Sequence, residues 1–112
     1  MPGEIVYLTS RDKFLQYLKT HHIVIVKFTA SWCGPCKRIA PLVNELYSKM
    51  PSNVSMIVVD IDSGADIKRA LRVDSVPRIY NFVKGELMDS VIGSKEENVI
   101  SFFKKTLARA SS

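Results

Sequence analysis

Two nearly continuous apolar runs, separated by a segment with helical spacing, constrain the fold of this chain most. The runs are IVIVKFT at 23–29 and VSMIVVDI at 54–61. β-branched runs of this length are typical of strands buried on both faces of a sheet. In 35–49, between the runs, apolar residues recur every three to four positions, which predicts an amphipathic helix. The pattern therefore indicates parallel strands joined by a helical crossover.

Shorter segments extend this alternation in both directions. The other predicted elements are a strand at 5–8, helices at 11–20 and 65–71, strands RIYNFV and LMDSVI joined by the turn at 84–86, and a helix at about 94–109. We expect Phe14, Leu15 and Leu18 to share one face of the first helix, and Leu107 to lie inward on the last. The order β-α-β-α-β-α-β-β-α predicts an α/β fold with a central mixed sheet and helices on both faces.

Length and composition indicate one globular domain spanning 1–112. The chain is 46% hydrophobic and 24% charged, and its formal net charge is +5. The basic residues are scattered among acidic ones and never run longer than a pair, so no nucleic-acid surface is predicted. We expect a monomer.

The N-terminal sequence MPGEIVYLTSRDKF predicts neither a signal peptide nor a membrane anchor. It carries an acid at position 4, and the longest apolar run in the chain is four residues. A membrane span requires about 20 apolar residues. We therefore expect a cytoplasmic protein whose thiols are kept reduced and which makes no membrane contact.

The only two cysteines, Cys33 and Cys36, lie where the strand at 23–29 gives way to the next helix. The unpaired N–H groups and positive dipole of a helix start stabilise a thiolate and lower the pKa of a thiol below its usual value of about 8.5. The three-residue spacing puts both sulfurs on one side of the helix. Pro35 suits a first helical turn, and Gly34 would let a partner backbone approach Cys33.

Two other interpretations of the cysteine pair are weaker. A passive disulfide over so short a loop would stabilise the fold little. A zinc site would need two more ligands, and the only histidines, His21 and His22, precede the strand and should lie at its far end. The pattern therefore favours redox chemistry, and no metal is predicted.

The sequence around the cysteines resembles the thioredoxin family. WCGPC is preceded by a Phe-x-Ala-x motif and followed by Lys-x-Ile-Ala-Pro, and VDID at 59–62, VPR at 76–78, KGE at 84–86 and Gly93 stand at thioredoxin-like places. The resemblance covers about 5–107 and implies a thioredoxin-like fold. A lone C-x-x-C would be a weak signal, whereas CGPC in this context is specific.

The resemblance implies a protein-disulfide reductase with a dithiol–disulfide cycle. Cys33, exposed at the helix start, would attack a client disulfide, and the more buried Cys36 would resolve the mixed disulfide. Thioredoxin reductase would restore the dithiol with electrons from NADPH. We expect no bound cofactor in this chain, because it has no glycine-rich dinucleotide fingerprint.

The same resemblance implies a client-binding groove. The Val76–Pro77 bond should be cis, and the Val76 backbone should pair with an extended client segment. The Trp32 ring would flank the client, Ile61 would line the groove, and Gly93 would leave room for a client backbone.

The sequence departs from many thioredoxins at two positions. Lys27 stands where a buried aspartate is common, and Val58 stands where a lysine often faces that aspartate. A buried ammonium is unfavourable, so Lys27 should reach solvent, pair with Asp60, or become neutral and accept protons. We count Lys27 and Asp60 as active-site support, with Lys27 favouring the Cys36 thiolate. Arg78, where a small residue is common, is expected in solvent, with steering of acidic clients as the alternative.

Two alternatives to a reductase remain open. The first is a disulfide oxidase or isomerase, although such relatives commonly carry a histidine between the cysteines. The second is a binding module or structural subunit of the same fold, in which turnover is incidental.

Overall fold

The computed structural model describes residues 1–111, and every predicted element is present with ends that differ by no more than two residues. The elements are β1 (Ile5–Tyr7), α1 (Arg11–Thr20), β2 (Ile23–Thr29), α2 (Gly34–Ser48), β3 (Val54–Asp60), α3 (Ala65–Ala70), β4 (Arg78–Val83), β5 (Glu86–Ile92) and α4 (Glu96–Ala110). Within these described residues, no helix is both long enough and apolar enough to cross a membrane.

The five strands form one mixed sheet in the order β1-β3-β2-β4-β5. β1, β3 and β2 run parallel, whereas β4 and β5 are antiparallel to their neighbours. The predicted α/β fold with a central mixed sheet is therefore confirmed. β2 lies at the centre, so the chain leaving its carboxyl end at Thr29 enters α2 beside the ends of both neighbouring strands.

Each face of the sheet has its own apolar core. Alternate residues of β2 point to opposite faces, so Ile25 packs with residues of α2 and α4, and Val26 packs with residues of α1 and α3. Phe103 of α4 and Phe14 of α1 are each 1% exposed. Helices on both faces explain why β2 and β3 lack polar alternation. Lys27 is the exception in β2, and it lies on the α2 side.

Two leucines that were predicted to face inward lie at the surface. Leu15 is 40% exposed and Leu107 is 43% exposed. The inner stripe of α4 passes through Thr106 instead, which is fully buried. Its hydroxyl donates to the carbonyl oxygen of Phe102 and accepts from Asn81, so a polar residue is satisfied there.

A buried polar network joins β4, β5 and α4. Asn81 Nδ2 donates to Thr106 Oγ1 at 2.9 Å and to Asp89 Oδ2 at 3.0 Å, and Asn81 Oδ1 accepts from the Asp89 N–H at 2.8 Å. The Arg109 guanidinium donates two hydrogen bonds to the Asp89 carboxylate. These bonds hold the pKa of Asp89 below its ordinary value.

The hydroxyl of Tyr47 attaches α2 to the N-terminal segment. It lies 3.0 Å from the Gly3 carbonyl oxygen, 3.1 Å from that of Glu4 and 3.2 Å from that of Val54. Its single proton serves one of these acceptors at a time. Burial raises the pKa of Tyr47 to about 12, so the hydroxyl stays a donor over the working range of pH.

Candidate active site

Cys33 and Cys36 form a disulfide at the first turn of α2. Their Cα atoms are 5.3 Å apart, and Cys33 is the N-cap residue of the helix. Cys33 Sγ accepts a hydrogen bond from the Cys36 N–H at 3.1 Å. The predicted helix start is therefore confirmed, and its first-turn N–H already points at the sulfur that would carry negative charge.

The sequence of the first turn adds positive charge at this end of α2. No acidic residue lies there, Pro35 occupies one of the first two helical positions, and Lys37 and Arg38 follow on the exposed side. The Nη1 atom of Arg38 is 3.6 Å from the position that a Cβ on Gly34 would take. The charge and the helix dipole both favour a thiolate.

Both cysteines are buried, which differs from the expected exposure of Cys33. Cys33 is 3% exposed and Cys36 is 6% exposed. In the disulfide form the Cys33 sulfur turns toward Cys36, and the pair packs with Ala30, with half-buried Ile61 and Val76 against it. The prediction that Cys36 is the deeper of the two is wrong for this form.

The loop before β4 carries a cis bond between Val76 and Pro77, as the resemblance implied. The Pro77 carbonyl oxygen accepts a hydrogen bond from the Gly93 N–H at 2.9 Å. Gly93 has a φ of +89°, and a Cβ there would meet nothing within 4 Å. Backbone conformation therefore requires this glycine, whereas the space around it does not.

Trp32 and Asp62 form a contact that the sequence analysis missed. Trp32 is 65% exposed, and its Nε1 donates to Asp62 Oδ2 at 3.0 Å. This bond orients an exposed indole beside the disulfide. The acid pair in VDID was the available signal, although only the first acid, Asp60, carried a predicted role.

Asp60 shapes the loop after β3. Its Oδ1 accepts hydrogen bonds from the N–H groups of Asp62, at 2.8 Å, and Ser63, at 3.3 Å. Among the described residues it forms no ion pair with Lys27, so pairing, one of the three options given for Lys27, is not the one realised. The local turn places the carboxylate on its own loop backbone. Asp60 therefore acts through the loop that carries Ile61 and Asp62.

Lys27 is half-buried and lies opposite Val58 and Ile79 in the sheet. It lines a cavity of about 120 Å³ together with Cys36 and Pro77. Burial lowers the pKa of the Lys27 ammonium, since a low-dielectric surrounding disfavours the charged form. Of the three sequence-based options, reaching solvent and becoming neutral remain.

Arg78 does not lie free in solvent as expected. It is half-buried, and its guanidinium carbon is 4.7 Å from the centre of the Tyr80 ring. Its Nε is buried and has no hydrogen-bond partner within residues 1–111. Arg78 and Tyr80 share the α1/α3 face because they are two residues apart on β4.

Comparison with known proteins gives matches that include the cysteine pair and the loop with the cis bond. The family model described as thioredoxin matches residues 5–105. A thioredoxin H-type from Ricinus communis is 39% identical over 92 residues, covering 82% of this chain and 77% of that protein. The mitochondrial thioredoxin 3 of Saccharomyces cerevisiae, solved in its oxidised form, is 28% identical with a TM-score of 0.83, covering 90% of this chain and 94% of that one.

A third relative joins this domain to a second activity. The protein named bifunctional thioredoxin reductase/thioredoxin from Mycobacterium leprae is 30% identical over 93 residues, which cover 83% of this chain and 20% of that protein. The family match, the fold and the disulfide at the start of α2 agree. The chain belongs to the thioredoxin family, and Cys33–Cys36 is the redox-active pair of this thiol–disulfide oxidoreductase.

Proposed function

We propose that Cys33 is the attacking nucleophile and Cys36 the resolving thiol in the reduction of protein disulfides. The observation that carries this assignment is the hydrogen bond from the Cys36 N–H to Cys33 Sγ at the helix start. A backbone donor and the positive end of the helix dipole both stabilise negative charge on Cys33. Cys36 Sγ is one turn further along and accepts no such bond within residues 1–111.

The proposed cycle moves two electrons to the client. The Cys33 thiolate attacks one client sulfur, the client disulfide breaks, and the second client sulfur leaves with the electron pair and takes up a proton. The Cys36 thiolate then attacks Cys33 Sγ, and the first client sulfur leaves in the same way. The client is released as a dithiol, and Cys33–Cys36 is left as the disulfide seen in the structure.

The proposed client groove lies beside the disulfide. The exposed Trp32 ring flanks it, and Ile61 and Val76 pack against the cysteine pair. Within the described chain, the Val76 N–H and carbonyl form no hydrogen bond, so both are free for an extended client strand. The bond from Gly93 holds the Pro77 carbonyl in place behind this backbone.

The family carries no bound cofactor and is reduced by thioredoxin reductase. The relative from Mycobacterium leprae unites both names in one protein, which supports a reductase as the partner of this chain. We infer that NADPH supplies the electrons through that enzyme. We also propose a single-domain monomer that acts in the cytoplasm on disulfide-containing clients. Fractionation and size-exclusion chromatography test this location and oligomeric state, because one solved relative is mitochondrial.

Insulin-disulfide reduction tests the proposed function. With dithiothreitol, the wild-type chain should accelerate insulin precipitation, and Cys33→Ser should abolish the acceleration. With thioredoxin reductase and NADPH, the same reaction should consume NADPH. Ser101→Ala, which alters an exposed residue of α4, is the matched control and should react like the wild type. A wild-type chain no faster than dithiothreitol alone would contradict the proposal.

The alternatives give different results. Thioredoxin itself has a reduction potential of about −270 mV, whereas oxidants and isomerases lie at about −120 to −180 mV. A measured reduction potential between about −120 and −180 mV would favour an oxidase or isomerase. A structural subunit would keep its biological role when both cysteines are replaced by serine, whereas a reductase would lose it.

A further inference from the structure

The cavity of about 120 Å³ lies directly behind the redox pair. Cys36 and Lys37 line it from α2, Lys27 from β2, and Pro77 and Ile79 from the beginning of β4. The remaining lining residues are apolar apart from one threonine. A space of this size admits only a few water molecules. Charges on opposite walls of the cavity therefore interact with little dielectric screening.

Lys27 lines this cavity, and its side chain has no counter-ion within residues 1–111. No carboxylate lines the cavity, and the described residues include no ion pair or hydrogen bond from the side chain of Lys27. On β3, the Asp60 carboxylate accepts from its own loop backbone. On β4, Arg78 packs on Tyr80 at the opposite face of the sheet.

The one charged neighbour on α2 has the same sign. Lys37 is exposed and also lines the cavity. An unpaired ammonium beside an apolar wall is unfavourable, and burial lowers the pKa of Lys27 accordingly. The only anion that the redox cycle generates on a residue lining this cavity is the thiolate of Cys36. Thiolate and ammonium would therefore stabilise each other.

We propose that Lys27 supports the resolving step by stabilising the Cys36 thiolate across this cavity. This inference rests on the proposed function, in which Cys36 resolves the mixed disulfide. Lys27 acts through Cys36 and forms no bond to the client. A cation thus performs the electrostatic role at this position, with no buried acid required.

The resolving step balances with Lys27 as a spectator charge. The Cys36 thiol releases its proton to solvent, and the electron pair of the thiolate forms the bond to Cys33 Sγ. The bond between Cys33 and the client breaks, and the client sulfur leaves with that pair and takes a proton from solvent. Lys27 keeps its own proton throughout, and it lowers the free energy of the thiolate from which the step begins.

Titration of the reduced full-length chain tests the proposal. Cysteine labelled with ¹³C at Cβ reports the Cys36 pKa by NMR. Lys27→Met should raise that pKa by about one unit, which is a tenfold loss of thiolate at a fixed pH below it. Lys27→Arg should keep the wild-type value. Lys104→Met, which removes the same charge from an exposed position of α4, is the matched control and should leave it unchanged.

A second measurement needs no destabilising variant. Coupling between two sites is reciprocal, so the Cys36 thiolate should raise the pKa of Lys27 by as many units as Lys27 lowers the pKa of Cys36. Lysine labelled at Cε in the wild-type chain should show Lys27 titrating higher in the dithiol form, above the Cys36 pKa, than in the disulfide form. The Lys27→Arg spectrum identifies its signal.

The outcomes separate the two levels of inference. A folded Lys27→Met variant with an unchanged Cys36 pKa, or a wild-type Lys27 that titrates identically in both redox forms, would overturn the role of Lys27. Insulin reduction by the wild-type chain would then still support the proposed function. A wild-type chain inactive on insulin would overturn the proposed function itself.

Discussion

The polar network around Asn81 gives the sharpest stability prediction. Asn81 is fully buried and makes three side-chain hydrogen bonds. In Asn81→Ala, the bonds to Asp89 and Thr106 disappear, but the Asp89 carboxylate still accepts from Arg109 and the Thr106 hydroxyl still donates to the Phe102 carbonyl. Each of these losses costs about 1 kcal/mol.

The third bond differs because its loss leaves a donor without a partner. The Asp89 N–H now donates to Asn81 Oδ1 at 2.8 Å. Leaving this partly buried N–H unsatisfied adds about 1 kcal/mol, the lower end of the usual range. The free energy of unfolding should therefore fall by about 3 kcal/mol. At an m-value of about 1.5 kcal/mol/M, the urea midpoint falls by about 2 M.

Urea unfolding of the disulfide form, followed by far-ultraviolet circular dichroism, measures this change. Ser90→Ala is the matched control, because Ser90 lies on the exposed side of β5 and its side chain makes no hydrogen bond within the described chain. It should change stability by less than about 0.5 kcal/mol. A loss below about 1 kcal/mol in Asn81→Ala, with an unchanged m-value, would refute the assignment of a fully engaged buried network.

Three further predictions concern single side chains. Asp62→Ala should lower the fluorescence anisotropy of Trp32 and slow insulin reduction by about two- to fivefold, because one net hydrogen bond of about 1 kcal/mol orients the indole. Asp62→Asn keeps an acceptor for the indole N–H, so both effects should be smaller. Arg109 lowers the pKa of Asp89, so this carboxylate stabilises the fold fully above its unfolded pKa of about 3.9, and the contribution is lost as pH falls through the lower folded value. The stability difference between wild type and Asp89→Asn should therefore shrink below about pH 4 in pH-dependent urea titrations, and a constant difference would contradict it. Tyr47→Phe should cost about 1–2 kcal/mol in the same unfolding assay, and a spectrophotometric titration should lose one late-ionising tyrosine, because burial raises the pKa of Tyr47 to about 12.

The sequence was sufficient to predict the elements and the location of the redox pair. Continuous apolar runs identify β2 and β3 because both faces of the sheet are covered. The spacing of Cys33 and Cys36 at the end of β2 predicts a helix start, since the strand, the first-turn proline and the helical spacing all agree. These features depend on local pattern, which the sequence contains directly.

Side-chain partners were harder to predict because they depend on competition between contacts. Strand register allowed the Asp60 carboxylate to pair with Lys27. The carboxylate instead accepts hydrogen bonds from the N–H groups of its own loop, which are nearer in sequence. The bond between Trp32 and Asp62 joins residues 30 positions apart, across two loops whose geometry no local pattern gives. The burial of Cys33 depends on its redox state, which the sequence does not record.

The missing acid at the first turn of α2 has a kinetic consequence. Lys37 and Arg38 are exposed and directly follow Cys36 on a helix end that is already positive, so the approach of a reaction partner is biased by its charge before any contact forms. A small anionic disulfide should reach Cys33 faster than a cationic one of equal size. Added salt should bring the two rates together, because the Debye length falls to about 8 Å at 0.15 M. Two side chains that never touch sulfur would thus set how quickly each kind of partner arrives.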